Sequence, residues 1–205
     1  MKPKIAIIYY SATGVTFQLA QAMEEEAQAA GAETRLRKVP ELAPEAAIQS
    51  NKGWAAHRLE TQHVPEASND DLVWADAILF GSPTRYGLPS AQWKQFIDRT
   101  GPLWASGALV NKVVSSFATT ATVHGGQEST ILAMNNVAYH WGSIIVGPGY
   151  VEPSQFQSGN PYGASHTSAN GQIPPDEVAL VAARVQARRV VAVVSQFLAG
   201  AGAKG

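Results

Sequence analysis

The chain has no cysteine among its 205 residues, which excludes disulfides, thiol chemistry and thiolate metal sites. Charge is scarce: Asp, Glu, Lys and Arg make up 15% of the residues, and the formal net charge is −1. Proteins that grip nucleic acid through its phosphates carry a basic excess, so no nucleic-acid partner is expected. No apolar run reaches the length needed to span a bilayer, and the first, from Ile5 to Tyr10, is too short for a signal-peptide core. No membrane contact is expected, and the cytoplasm is the expected compartment. His57, His63, His124 and His166 show no metal-ligand spacing, so no metal is expected. Neither a GxSxG nucleophile motif nor a paired-carboxylate site is present.

Hydrophobic residues make up 45% of the chain, and there are 18 glycines. Length and composition fit one α/β domain over residues 1–205, with surface to hide in an oligomer. Strands are expected at 4–10, 34–39, 77–80, 112–117 and 143–146, alternating with helices near 16–30, 72–74, 90–100, 128–140 and 176–198. Residues 40–68 and 147–175, rich in breakers, read as long irregular connections. The alternation predicts a five-stranded parallel sheet of order 2-1-3-4-5 between two helical layers, a flavodoxin-like three-layer α/β sandwich. Ligands of such sheets sit at the strand carboxyl ends, where the order reverses.

Three turns fall at those ends. In the first, an apolar run stops at Tyr10-Ser11-Ala12-Thr13-Gly14-Val15-Thr16, and a helical pattern starts at Phe17. Hydroxyls and a glycine before a helix N-terminus suit a phosphomonoester held by neutral donors, as in flavin mononucleotide (FMN); a plain helix cap would use the same residues. The turn lacks the lysine of an ATP-type loop and the GxGxxG of a dinucleotide fold. The second turn is Gly81-Ser82-Pro83-Thr84-Arg85-Tyr86-Gly87, where Arg85 and Tyr86 can meet a flat heterocycle. A surface turn with a solvated arginine is its alternative, which the position after the third strand disfavours. The third turn, Ala118-Thr119-Thr120-Ala121-Thr122-Val123-His124-Gly125-Gly126-Gln127, can line the other side, its Thr hydroxyls capping the next helix. Trp104 falls in a linker and reads equally as pocket wall or core. By itself, His140 reads as a packed or surface histidine.

Taken in order, these motifs resemble the WrbA family of flavoproteins, the type IV NAD(P)H:quinone oxidoreductases. The resemblance spans nearly the whole chain. It rests on Tyr10-Ser11, on Gly81-Ser82-Pro83-Thr84-Arg85-Tyr86-Gly87 and on Leu103-Trp104-Ala105-Ser106-Gly107-Ala108-Leu109. Gly125-Gly126-Gln127-Glu128-Ser129-Thr130, His140 before Gly142, and Pro161-Tyr162-Gly163-Ala164 complete it. It implies that Ser11, Ala12, Thr13, Gly14, Val15 and Thr16 hold the FMN phosphate. Pro83, Thr84, Arg85, Tyr86 and Gly87 would contact the isoalloxazine, and Thr119, Thr120, Ala121, Thr122, Val123 and His124 would close the site. His140 matches the family's flavin-site histidine and Trp104 a substrate-pocket residue. Thr13 departs from the pattern, since family members often carry there an aromatic that contacts the nicotinamide nucleotide. The third turn is also one residue longer and less glycine-rich than usual.

The implied activity is two-electron reduction of small-molecule quinones to hydroquinones, with NADH or NADPH as donor and FMN as cofactor, in a homotetramer. The alternatives are a flavodoxin-type one-electron carrier and a non-enzymatic interaction module of a transcription repressor. A carrier commonly shows an acidic partner face, and this near-neutral chain has no obvious one.

Overall fold

The computed structural model describes residues 2–202. Its strands are β1 (Lys4–Tyr9), β2 (Glu33–Lys38), β3 (Ala77–Arg85), β4 (Leu88–Pro89), β5 (Val113–Thr120), β6 (Ile144–Ile145) and β7 (Ser165–Thr167). The helices are α1 (Val15–Ala29), α2 (Glu45–Gln49), α3 (Lys52–Glu60), α4 (Asn69–Trp74), α5 (Ala91–Asp98), α6 (Gly101–Ala105), α7 (Gln127–Trp141), α8 (Gln155–Ser158) and α9 (Glu177–Gly202).

Successive side chains of a strand point to opposite faces, and β1 sorts its apolar residues accordingly. Ile5, Ile7 and Tyr9 join one core with α1 and α9, while Ala6, Ile8 and Tyr10 join a second with α4, α5 and α7. The parallel strands lie in the order β2-β1-β3-β5-β6, which is the expected 2-1-3-4-5 once the two short additions are set apart. Of these, β4 folds back antiparallel on β3, and β7 pairs the carboxyl half of β5 beyond the reach of β6. Gln186, fully buried on α9, ties this corner together. Its amide donates to Ser115 Oγ (2.6 Å) and the Ser116 carbonyl (2.8 Å), and its oxygen accepts from Ala164 N–H (2.7 Å).

The two supposedly irregular connections contain elements of their own. Residues 40–68 hold α2 and α3, because Pro44 stands at the N-cap of α2 and Asn51 caps α3 by accepting from Trp54 N–H at 3.1 Å. Breakers placed just before a helix start it rather than disrupt it. Residues 147–175 hold α8 and β7, both too short to carry a periodic signal. Trp104 lies on the short helix α6 and not in a linker.

Burial works to raise the Asp71 carboxyl, but hydrogen bonds from Ser68 and the guanidinium groups of Arg37 and Arg35 hold it below the ordinary aspartate range. Glu41 is likewise held down against burial, by donors from Ala43, Gln92, Tyr10 and Leu42. A depressed carboxyl stabilises the fold above its unfolded pKa, and that stability is lost as pH falls through the folded value. Glu24, raised mainly by burial, acts in the opposite sense. Unfolding free energy is expected to fall as pH drops from 6 to 3. Urea titrations at both pH values check this, and Glu41→Gln should narrow the difference.

Candidate functional site

At the carboxyl ends of β1, β3 and β5 lies a cleft of about 580 Å³, within the range of about 300–1,000 Å³ usual for small-molecule sites. It opens where the strand order reverses between β1 and β3, the expected place for a ligand.

The first turn shapes one end. Gly14 is the N-cap of α1 at φ 93°, a left-handed backbone suited to glycine, and its N–H donates to Ser11 Oγ at 3.1 Å. No side chain caps α1, and its first turn contains no acidic residue. The first helical bond runs from Gln18 N–H to the Gly14 carbonyl, so the amides of Val15, Thr16 and Phe17 precede the helical ladder. An uncapped helix N-terminus flanked by hydroxyls fits a phosphate. Thr16 Oγ1 lies 2.8 Å from Thr119 Oγ1 and couples this turn to the third.

The second turn is tighter than the sequence implies. β3 runs on through Ser82, Pro83 and Thr84 to Arg85, and the chain reverses only at Tyr86 (φ 55°) and Gly87 (φ 78°). Two consecutive left-handed residues match the two-residue hairpin turn that suits strand twist. Buried Ser82 Oγ accepts from Ser90 N–H (2.9 Å) and anchors the hairpin base, while Thr84 Oγ1 accepts from Gly87 N–H (3.1 Å) and lies 2.8 Å from Thr130 Oγ1. Arg85 is exposed, donating to the Thr84 carbonyl at 2.9 Å, and the Tyr86 ring stands wholly in solvent.

In the third turn, Thr119 and Thr120 belong to β5, whose residues are all buried. The expected threonine cap on the following helix is absent. Gly126, at φ 92°, is the N-cap of α7 with no side-chain bond, because a side chain there would strike Gly87, 2.7 Å from the added carbon. Thr120 Oγ1 instead donates to the Thr122 carbonyl and accepts from Gln127.

Ser11, Ala12, Thr13, Val15, Thr16, Pro83, Thr84, Arg85, Tyr86, Thr119, Thr120, Ala121 and Thr122 all face the cleft. Gly14 and Gly87 shape turns without lining it. Val123 and His124 are exposed outside it. His140 and Trp104 also lie elsewhere in the single chain. α7 starts beside Thr120 and ends near Asn111, before β5, so His140 sits about 20 Å down the helix from Gln127. There Trp104 Nε1 donates to the His140 carbonyl at 3.0 Å, with both side chains exposed. The cleft wall includes Asn51 and Trp54 from the α3 start, Gly125, and Ser168, Asn170 and Gly171 after β7, which sequence reasoning did not select. The one signal for Trp54 was an indole isolated in a polar segment.

Among the described residues, Arg85 is the sole charged one in the lining, and no carboxylate, histidine or lysine faces the cavity. Its hydroxyls and backbone suit binding rather than acid–base work.

Residues 3–157 match the family described as NADPH-dependent FMN reductase. The chain belongs to that family. Among curated relatives of this chain is an NAD(P)H dehydrogenase (quinone) of Deinococcus radiodurans, 45% identical over 95% of this chain and 97% of the relative. A protein of the same name from Aromatoleum aromaticum is 41% identical over 96% and 98%. Of solved structures, a WrbA-like flavodoxin from Agrobacterium tumefaciens superposes with TM-score 0.67 at 26% identity, covering 95% of this chain and 99% of that one. A flavodoxin from the domain Archaea (TM-score 0.62, 15% identity, 94% and 99% covered) shares the fold. The resemblance to WrbA proteins and the flavodoxin-like fold expected from sequence are both borne out.

Proposed function

We propose that this chain is an FMN-dependent NAD(P)H:quinone oxidoreductase, moving a hydride from NADH or NADPH and a proton from solvent to a quinone. The observation that carries the reading is a cleft with an uncapped, acid-free helix N-terminus at one end and an almost uncharged lining. Relatives at 41–45% identity that are named NAD(P)H dehydrogenase (quinone) support it. FMN, when bound, supplies the two-electron redox chemistry. The chain supplies placement. The amides of Val15 and Thr16, with Ser11 Oγ and Thr13 Oγ1, hold the phosphate; Thr84 and Arg85 meet the isoalloxazine edge; Thr119, Thr120 and Ala121 close its other side.

We extend the proposal to a cytoplasmic homotetramer in which His140 and Trp104 serve the cleft of a neighbouring copy. Exposed apolar surface at Trp104 (59%) and Tyr139 (72%), beside His140, supports that assembly. There His140 orients the quinone and Trp104 walls its pocket. His140→Ala is expected to slow quinone turnover about tenfold, the loss of one contact of ~1.4 kcal/mol in the transition state, with FMN affinity nearly unchanged. An equal loss of FMN affinity contradicts that role.

Steady-state assay of the FMN-loaded protein tests the activity. NADH or NADPH oxidation should depend on added benzoquinone and yield one hydroquinone per nicotinamide oxidised. Donor oxidation without hydroquinone would refute it.

A further inference from the structure

We propose that the indole face of Trp54 is the platform on which the adenine end of the nicotinamide dinucleotide stacks, an assignment that rests on the reductase reading. Trp54 is the third residue after the Asn51 cap, half-buried, and lines the cleft together with Thr13. Its edge is pinned: Nε1 donates to Glu41 Oε2 at 3.1 Å. That carboxylate also accepts from Tyr10 OH at 2.9 Å and Gln92 Nε2 at 2.8 Å, and from two backbone N–H groups at 2.9 Å. A tryptophan held by its polar edge through a saturated carboxylate keeps its plane fixed and presents its apolar face.

The position of that face selects the ligand. Thr84 and Thr119 belong to the ends of β3 and β5, whereas Trp54 shares a cavity with Lys38 and Val39 at the end of β2, on the far side of β1. Strands are about 4.8 Å apart, so these walls are separated by roughly the length of a nucleotide's ring and sugar. A nicotinamide reaching the β3–β5 side leaves the rest of the dinucleotide to cross towards the β1 side. Among the described residues that line the cleft, Trp54 is the aromatic on that side, since Tyr86 belongs to the opposite hairpin and Tyr9 and Tyr10 line only the adjoining cavity. Position 13 carries a threonine and so offers no ring. A carbon added to Gly171 would fall 2.3 Å from Thr13 Oγ1, and one added to Gly53 would fall 3.8 Å from its Cγ2, so the side chain is enclosed on both sides. Lys38 and Arg58, which share the adjoining cavity with Trp54, are engaged by the Thr61 carbonyl (2.7 Å) and the Glu45 carboxylate (2.6 Å). Recognition here is therefore by stacking, which every purine ring can satisfy.

Calorimetry on FMN-loaded protein tests this with two unreactive halves of the donor, ADP-ribose and nicotinamide mononucleotide. Wild type should bind ADP-ribose, Trp54→Ala about tenfold more weakly, and Trp54→Phe about as well as wild type. Binding of nicotinamide mononucleotide and of FMN should stay within about twofold in all three, as stacking on Trp54 involves only the adenine end. Trp54→Leu, which keeps bulk without a ring face, is run beside the alanine variant and should behave like it if alanine proves unstable. Undiminished ADP-ribose binding by the alanine and leucine variants, or a parallel loss of both halves and FMN, would overturn the platform. So would failure of wild type to bind ADP-ribose, whatever its NADH activity. ADP-ribose binding lost with Trp54, in a protein that never oxidises NADH, would instead sink the reductase reading alone.

Discussion

Ser11→Asp is expected to fold normally and to lose FMN by roughly a thousandfold. Ser11 Oγ accepts the Gly14 N–H at 3.1 Å, and aspartate can accept the same bond, so the turn keeps its shape. What changes is charge. The proposed phosphate site depends on the free amides at the start of α1, with no carboxylate in the first turn. A carboxylate placed about 4 Å from a phosphate repels it by about 4 kcal/mol per unit charge at an effective dielectric near 20. Ser11→Ala, which loses one acceptor without adding charge, should cost only about 1 kcal/mol. Flavin fluorescence titration of the three proteins checks the order. Equal affinity for Ser11→Asp and wild type would move the phosphate away from this turn.

Gly81→Ala carries the largest expected effect on folding. Gly81 sits within β3, opposite Tyr9 on one side and Phe117 on the other. An added carbon would lie 2.2 Å from Phe117 Cζ, 2.4 Å from Cε2 and 2.9 Å from Cε1, and Phe117 is fully buried. Overpacking of this kind costs typically 1–3 kcal/mol and occasionally more; with three ring atoms struck inside a central strand, about 3 kcal/mol or more is expected. Gly81→Ala combined with Phe117→Leu should recover most of the loss, giving a coupling energy of about 2 kcal/mol in the double-mutant cycle. Chemical denaturation of the four proteins measures it. Additive losses would mean that the ring and the glycine do not compete for space.

Long apolar strands and glycine–hydroxyl turns were legible because they are local. Ile5 to Tyr10 alternate between two cores along six residues, and Ser11, Pro83 and Thr119, from the three glycine–hydroxyl motifs, all line the cleft. Strand ends were less legible. Thr119 and Thr120 read as turn by composition, yet pairing with β3 and β7 extends β5 through them and buries their hydroxyls. The Asn51 and Trp54 wall is delivered by helices hidden among Pro44, Asn51 and Gly53, and the Asn170–Gly171 wall by the loop beyond three-residue β7. Neither has a periodicity that points to the cleft; tertiary pairing alone brings them there. His140 and Trp104 show the complementary case. Family resemblance places His140 at a flavin and Trp104 at a substrate pocket, while the single chain holds both at the end of α7 away from the cleft.

The most direct measurement is anaerobic. Protein loaded with FMN is mixed with NADH, the flavin absorbance band is followed, and benzoquinone is then added. Rapid loss of the band followed by its full return on quinone addition is the predicted result. A bound flavin whose band survives both NADH and NADPH would contradict the reductase reading.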